Sequence, residues 1–298
     1  MSSPVEELER HGIAVVPDLL APDVVARMRV AFQSRLKRMR WNDFDGYEKT
    51  EPFRHMVQDV LVLDQGFVDL AIHPVVKDTI GSYVGPTYEL VEAKGWKSLP
   101  TTSDFHGWHG DAWYNQELVQ DRIPREVKVA MYLSDVTSGP FTYVLGSHRK
   151  QHPRSVQDGE LAGVPKQDIV EVTGRAGTAI FFDTSGIHRQ GTPILQERLA
   201  IFYNYHEPSV PLQKEDLDYY RYHPLLLNAA FLGGLSDEDR RVLGFGNKTN
   251  YIPGFERSPG HEGFQRAMRS AFDAKMKAER FTSRIQGRLR RILGGNGG

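Results

Sequence analysis

The stretch Gly177 to His206, GTAIFFDTSGIHRQGTPILQERLAIFYNYH, decides the reading of this chain. Thr178-Ala179-Ile180-Phe181-Phe182 is a short apolar run of β-branched and aromatic side chains, and Leu199-Ala200-Ile201-Phe202-Tyr203-Asn204-Tyr205 is a second. Turn-forming residues bound them, Asp183-Thr184-Ser185-Gly186 after the first and Gly191-Thr192-Pro193 before the second, so both read as strands. His188 stands between them and Arg198 opens the second. An imidazole and a guanidinium are thereby expected at the mouth of a β structure.

Working upstream, Phe105-His106-Gly107-Trp108-His109-Gly110-Asp111-Ala112-Trp113 lies between further strand candidates. In an extended segment His109 and Asp111 are two positions apart, point to one side and can converge on one ion. Two imidazoles and a carboxylate, here His109, Asp111 and His188, suit one face of Fe(II) and leave three adjacent positions for a bidentate co-substrate and dioxygen. By itself His-x-Asp is weak, because chance supplies roughly 0.7 such tripeptides among so many histidines. Its weight comes from the setting.

Further strands are expected at Ile13 to Val16, Tyr88 to Ala93, Val127 to Leu133, Phe141 to Leu145 and Asp168 to Val172, spaced as in a sandwich or barrel. Helical spacing covers Val5 to Arg10 and Pro22 to Met39. It also covers Val57 to Val84, interrupted at Asp64-Gln65-Gly66 and at His73-Pro74. Trp41 to Phe53 is aperiodic and reads as a loop, a candidate lid. Helices first and strands later predict a mainly β fold with helices packed outside one β core. The expected organisation is one domain over residues 1–208 and a C-terminal extension over residues 209–298.

Composition narrows the chemistry. The chain of 298 residues has no cysteine, which removes disulfides, thiolate zinc sites and a cysteine nucleophile. Its formal net charge of -1 provides no global field for nucleic acid, so none is expected as a partner. Met1 to Arg10 carries glutamates without a basic leader and apolar run, and no stretch reaches the ~20 apolar residues of a membrane span, so a cytoplasmic protein is expected. Gly263 to Leu293 is basic and amphipathic, with Phe264, Met268, Phe272 and Met276 at helical steps. Such a helix suits an anionic lipid surface or an acidic partner, although packing on its own domain is the commoner role.

The blocks HGIAVVPDLLAPDVVARMR (residues 11–29), WHGD (108–111), MYLSDVTSGPFTYVLGSHR (131–149) and the opening stretch, in that order, resemble the phytanoyl-CoA dioxygenase family of Fe(II)/2-oxoglutarate oxygenases. The resemblance covers about Leu8 to His206. It implies a double-stranded β-helix core of the jelly-roll or cupin-like kind, with iron bound by His109, Asp111 and His188. It also implies that Arg198 clamps the far carboxylate of 2-oxoglutarate, a task suited to its planar fork. A hydroxyl often shares that clamp, with Thr192 or Thr178 as candidates, and Lys97 falls where the family often has a polar residue facing the pocket. His106 is either a substrate contact or structural, and Trp108 and Trp113 either line the pocket or fill the core.

The implied reaction consumes O2 and 2-oxoglutarate, releases succinate and CO2, and oxidises, most often by hydroxylation, a C–H bond of a small-molecule, lipid or glycoconjugate substrate. Desaturation, epimerisation and ring formation share the same oxidant. Two alternatives stay open at this stage: a cupin-like isomerase or hydrolase with another divalent ion, and a non-catalytic binding module. The chain departs from the family pattern at Gly191-Thr192-Pro193, where Gly-Pro-Asn is usual, and at Leu145, where proline usually leads Gly-Ser-His. Asp111 is retained, which argues against the halogenase branch.

Overall fold

The computed structural model describes residues 2–37, 53–58, 60–104, 107–111, 114, 117–119, 123–152, 155–211 and 225–244, and six further positions, 271, 274, 278, 281, 282 and 285. The chain divides into two compact units, Met1–Asn250 and Tyr251–Gly298. The boundary expected at 208/209 falls inside the first unit. Lys77 Nζ holds Asp239 at 2.7 Å and Arg241 Nη1 donates to the Tyr88 carbonyl at 2.8 Å, which ties residues beyond 208 back to it. In the second unit the six described positions are helical. The rest of the expected basic helix lies outside the described residues, as does the expected lid loop apart from Phe53.

The first unit opens with helix α1 (Pro4–His11), started by a capping box in which Ser3 and Glu6 each satisfy the other's backbone N–H. Gly12, at φ +79°, ends it in the left-handed region, and a Cβ there would meet the His148 ring at 2.4 Å. Only glycine lets the chain turn at once into strand β1 (Ile13–Val16). Helix α2 (Pro22–Leu36) buries Val25, Met28 and Phe32. Between Val57 and Val84 the two expected interruptions are helix starts: Asp64 caps α3 (Gln65–Ala71) and His73 caps α4 (Pro74–Tyr83).

Nine strands among the described residues form two antiparallel sheets. Those after β1 are β2 (Arg54–Val57), β3 (Glu89–Ser98), β4 (Val127–Tyr132), β5 (Val136–Val144), β6 (Ile169–Gly174), β7 (Ala179–Asp183), β8 (His188–Gln190) and β9 (Arg198–His206). The major sheet runs β1-β7-β4-β9-β3-β2 and the minor sheet β6-β5-β8. Between them lies a core of Ile13, Ala130, Tyr132, Phe141, Tyr143, Val172, Ile180 and Phe182. This is the expected mainly β architecture with flanking helices, a double-stranded β-helix. Strands β2 and β8 were absent from the sequence reading, because Arg54-His55-Met56-Val57 and His188-Arg189-Gln190 are short and, unlike β1, carry no apolar run to mark them.

The outer face of the major sheet is covered by helices. Tyr203 and Tyr205, both fully buried, donate their hydroxyls to the Phe67 and Ala71 carbonyls of α3, each at 2.8 Å. Phe32 of α2 packs on Gly95, where a Cβ would sit 2.3 Å from the Phe32 ring. The inner face is thus left free for the site. Because Phe32 is completely buried, Phe32→Ala is expected to cost about 3–5 kcal/mol of stability, read as a lower urea midpoint with an unchanged m-value.

Candidate metal centre and co-substrate cavity

Two strand-like segments meet edge to edge at His109 and His188. The two residues exchange both backbone hydrogen bonds, His109 N to His188 O at 3.0 Å and His188 N to His109 O at 2.8 Å. A third bond, Asp111 N to Thr184 O at 2.8 Å, fixes the next residue on the same face. His188 itself sits on β8, which pairs with β5 through Tyr143. The side chains of His109, Asp111 and His188 therefore converge, with a donor atom of each within 4.8 Å of the others.

Both rings are oriented in the same way. Nδ1 of His109 lies 2.7 Å from the Gly107 carbonyl and Nδ1 of His188 lies 2.8 Å from the Gly186 carbonyl. Each carbonyl accepts the Nδ1 proton, which leaves Nε2 as the lone-pair nitrogen. Those Nε2 atoms stand 3.8 Å and 3.6 Å from oxygens of Asp111. Removal from water, reinforced by His188, pushes His109 down to about 4, so its imidazole is neutral at pH 7. For Asp111 desolvation acts upward, but the Lys128 ammonium outweighs it and holds the carboxylate well below its ordinary range. Two imidazole Nε2 atoms and an ionised carboxylate are the donor set a divalent ion requires, and they fit one.

The triad opens into a cavity of about 180 Å³ between the two sheets. Arg198 lies in its wall, 3 % exposed. One of its Nη atoms donates to the Gly139 carbonyl, while its Nε has no hydrogen-bond partner among the described residues. Burial pushes this guanidinium down to about 10, so it keeps its charge at neutral pH. The phenyl rings of Phe141, Phe182 and Phe202 supply apolar wall, and Gln190, two residues beyond His188, presents a buried Nε2 with no partner among the described residues.

Several expected roles are corrected. Lys97 does not line the cavity: side chains alternate along β3, so Lys94 and Trp96 are in its wall while Lys97 pairs with Glu197 at 2.6 Å on the other side. Thr178 and Thr192 are not in the wall either. The register partner of Arg198 on β3 is Ser98, fully buried, with Oγ unpartnered among the described residues, and it too stands outside the cavity wall. Trp108 fills a satellite core with Val144, Val156, Leu161 and Ile187, capped by the Arg189 guanidinium 4.3 Å from its ring. His106 and Trp113 lie outside the described residues.

Lys128 went unnoticed in the sequence, although a lone lysine inside Val127-Lys128-Val129-Ala130-Met131 was a readable signal. Arg54 was hidden because β2 was. It stacks on Trp96 with its guanidinium 3.6 Å from the ring and shares a cross-strand row with Ser98 and Arg198.

The fold and triad define a class: double-stranded β-helix proteins built to hold a single metal ion on two histidines and a carboxylate. The sequence model of the phytanoyl-CoA dioxygenase family matches residues 8–192, and the chain belongs to that family. It is an Fe(II)/2-oxoglutarate-dependent dioxygenase, with iron, 2-oxoglutarate and dioxygen as cofactor and co-substrates. The cupin-like isomerase or hydrolase and the non-catalytic module fall away.

Ectoine dioxygenase of Stutzerimonas stutzeri (strain A1501) is 25 % identical over 243 residues, 69 % of this chain and 77 % of that enzyme. Among solved structures, HygX from Streptomyces hygroscopicus with nickel, 2-oxoglutarate and hygromycin B bound has a TM-score of 0.53 at 20 % identity, over 71 % of this chain and 89 % of its own. The non-heme alpha ketoglutarate dependent epimerase SnoN from nogalamycin biosynthesis has a TM-score of 0.53 at 19 % identity, over 68 % and 81 %.

Directly behind the triad, Asp183 ends β7 and accepts hydrogen bonds from Tyr83 Oη and the Ser185 N–H, each at 2.8 Å. Burial raises it from its ordinary 3.8 to about 7. A carboxyl whose folded value is raised favours the folded state below its unfolded value and loses that contribution as pH rises through the folded one. The stability difference between wild type and Asp183→Asn is therefore expected to change between about pH 4 and 7. Denaturant melts at several pH values check this, and a flat difference across that window would contradict the assignment.

Proposed function

We propose that this chain oxidises a C–H bond of a small-molecule substrate, typically to an alcohol, at a ferrous ion held by His109, Asp111 and His188. Dioxygen is split between two products: one oxygen atom enters the succinate formed when 2-oxoglutarate loses CO2, and the other enters the substrate. One observation carries this reading: the convergent imidazole and carboxylate donors share a cavity with the buried Arg198 guanidinium. When bound, ferrous iron supplies the open positions at which 2-oxoglutarate chelates and dioxygen is activated.

The remaining work belongs to the protein's own residues. Arg198 presents hydrogen-bond donors for the far carboxylate of 2-oxoglutarate, and Gln190 of the same cavity wall offers a further donor. The Gly107 and Gly186 carbonyls keep both Nε2 atoms aimed inward. Phe141, Phe182 and Phe202 keep water from the reacting centre. Relatives named for ectoine and crystallised with hygromycin B or nogalamycin RO support a small molecule as substrate.

The purified chain, loaded anaerobically with Fe(II), is expected to release succinate from 2-oxoglutarate on admission of air in the presence of its substrate, sought among candidate metabolites. His188→Ala should abolish that release. Arg198→Ala should raise the half-saturating 2-oxoglutarate concentration about thirtyfold or more, since truncating one partner of a buried charge pair costs at least ~2 kcal/mol. Undiminished succinate release by His188→Ala would defeat the reading.

A further inference from the structure

Lys128 is the one lysine of the central strand β4, it is 6 % exposed, and it faces the cavity. Its cross-strand neighbours on that face are Phe182 of β7 and Asn204 of β9. The ammonium donates to Oδ2 of Asp111. His188 Nε2 approaches that same oxygen at 3.6 Å, whereas His109 Nε2 faces Oδ1 at 3.8 Å. The two carboxylate oxygens are therefore used differently.

A carboxylate can give a metal one oxygen or two. Giving two would take one of the three adjacent positions that a chelating co-substrate and dioxygen need. The backbone bond from Asp111 N to the Thr184 carbonyl sets where the residue stands, but it does not choose how the side chain turns. An ammonium seated on a strand in the rigid major sheet does choose, because it engages one oxygen and leaves the other to the ion.

We propose that Lys128 is a positioning residue of the metal centre, holding Oδ2 of Asp111 so that the carboxylate offers only Oδ1 to the ion and the positions for 2-oxoglutarate stay open. This rests on the assignment of His109, Asp111 and His188 as ligands. Outer-shell partners of this kind orient ligands rather than bind the metal, and their loss is felt roughly ten- to a hundredfold.

Co(II) tests it, since it resists oxidation in air and its visible absorption reports coordination number. The full-length protein and its Lys128→Met, Lys128→Arg and His188→Ala variants would be titrated first with Co(II) and then, Co(II)-loaded, with 2-oxoglutarate. Lys128→Met is expected to keep Co(II) but to bind 2-oxoglutarate about tenfold more weakly, with a diminished spectral change on its addition. Lys128→Arg, which keeps a donor and a charge, should recover most of both.

Wild-type behaviour of Lys128→Met in the second titration would overturn the proposal. So would loss of Co(II) as complete as in His188→Ala, because Lys128 would then be needed for the site to exist at all. Retention of Co(II) by His188→Ala would instead overturn the ligand assignment. If the methionine variant does not fold, Lys128→Leu, which likewise has no donor, carries the same test.

Discussion

The pair of backbone hydrogen bonds exchanged by His109 and His188 is the constraint on which the site depends. It fastens a segment that belongs to no long strand onto the short strand β8, and β8 in turn is held by β5. Because the two histidines are direct cross-strand partners, their rings share a face, 4.3 Å between centroids. Asp111, two residues on, joins that face by the period of an extended chain. Glycines two residues before each histidine supply the carbonyls that set both tautomers. The convergence of the three donor side chains is thus written in main-chain bonds.

The scaffold around this constraint divides its labour between two faces of the major sheet. The outer face carries Tyr203, Tyr205 and Gly95 under α2 and α3, a packed layer that gives the strands their rigidity. The inner face carries Lys94, Trp96, Lys128, Arg198 and Phe202 into the cavity. Among the wall residues the cations outnumber the one carboxylate, Asp111, and some are matched within the protein: Lys128 by Asp111, Lys94 by Glu92, and Arg189 by Asp104 at 3.2 Å. A dianionic co-substrate beside a divalent ion is electrostatically at home there.

Much of this was legible in the chain. The strands β4, β7 and β9 are apolar runs bounded by turns, and each appears within a residue or so of its expected span. The candidate ligands that the structure brings together were legible because chemistry restricts which side chains bind a ferrous ion, and a chain without cysteine leaves histidine and carboxylate. What surrounds them was not. Lys97 and Lys94 are indistinguishable until the facing of β3 is known, and Thr178 and Thr192 looked nearer to Arg198 than Ser98 because sequence distance ignores pairing. Trp108 adjoins a ligand, yet along an extended segment adjacent side chains point apart, so it packs into a core instead.

By itself, then, the sequence determined the class of fold, the order of the donor residues and the chemistry they can support, since hydrophobic period, turn residues and ligand type are local properties. Only the tertiary structure decided which side chains meet: Lys128 on Asp111, Ser98 and Arg54 in one row with Arg198, Gln190 beside the triad. The physical reason is strand register. A slip of one residue sends every side chain of a strand to the opposite face, and register is set by pairings between segments far apart in the chain.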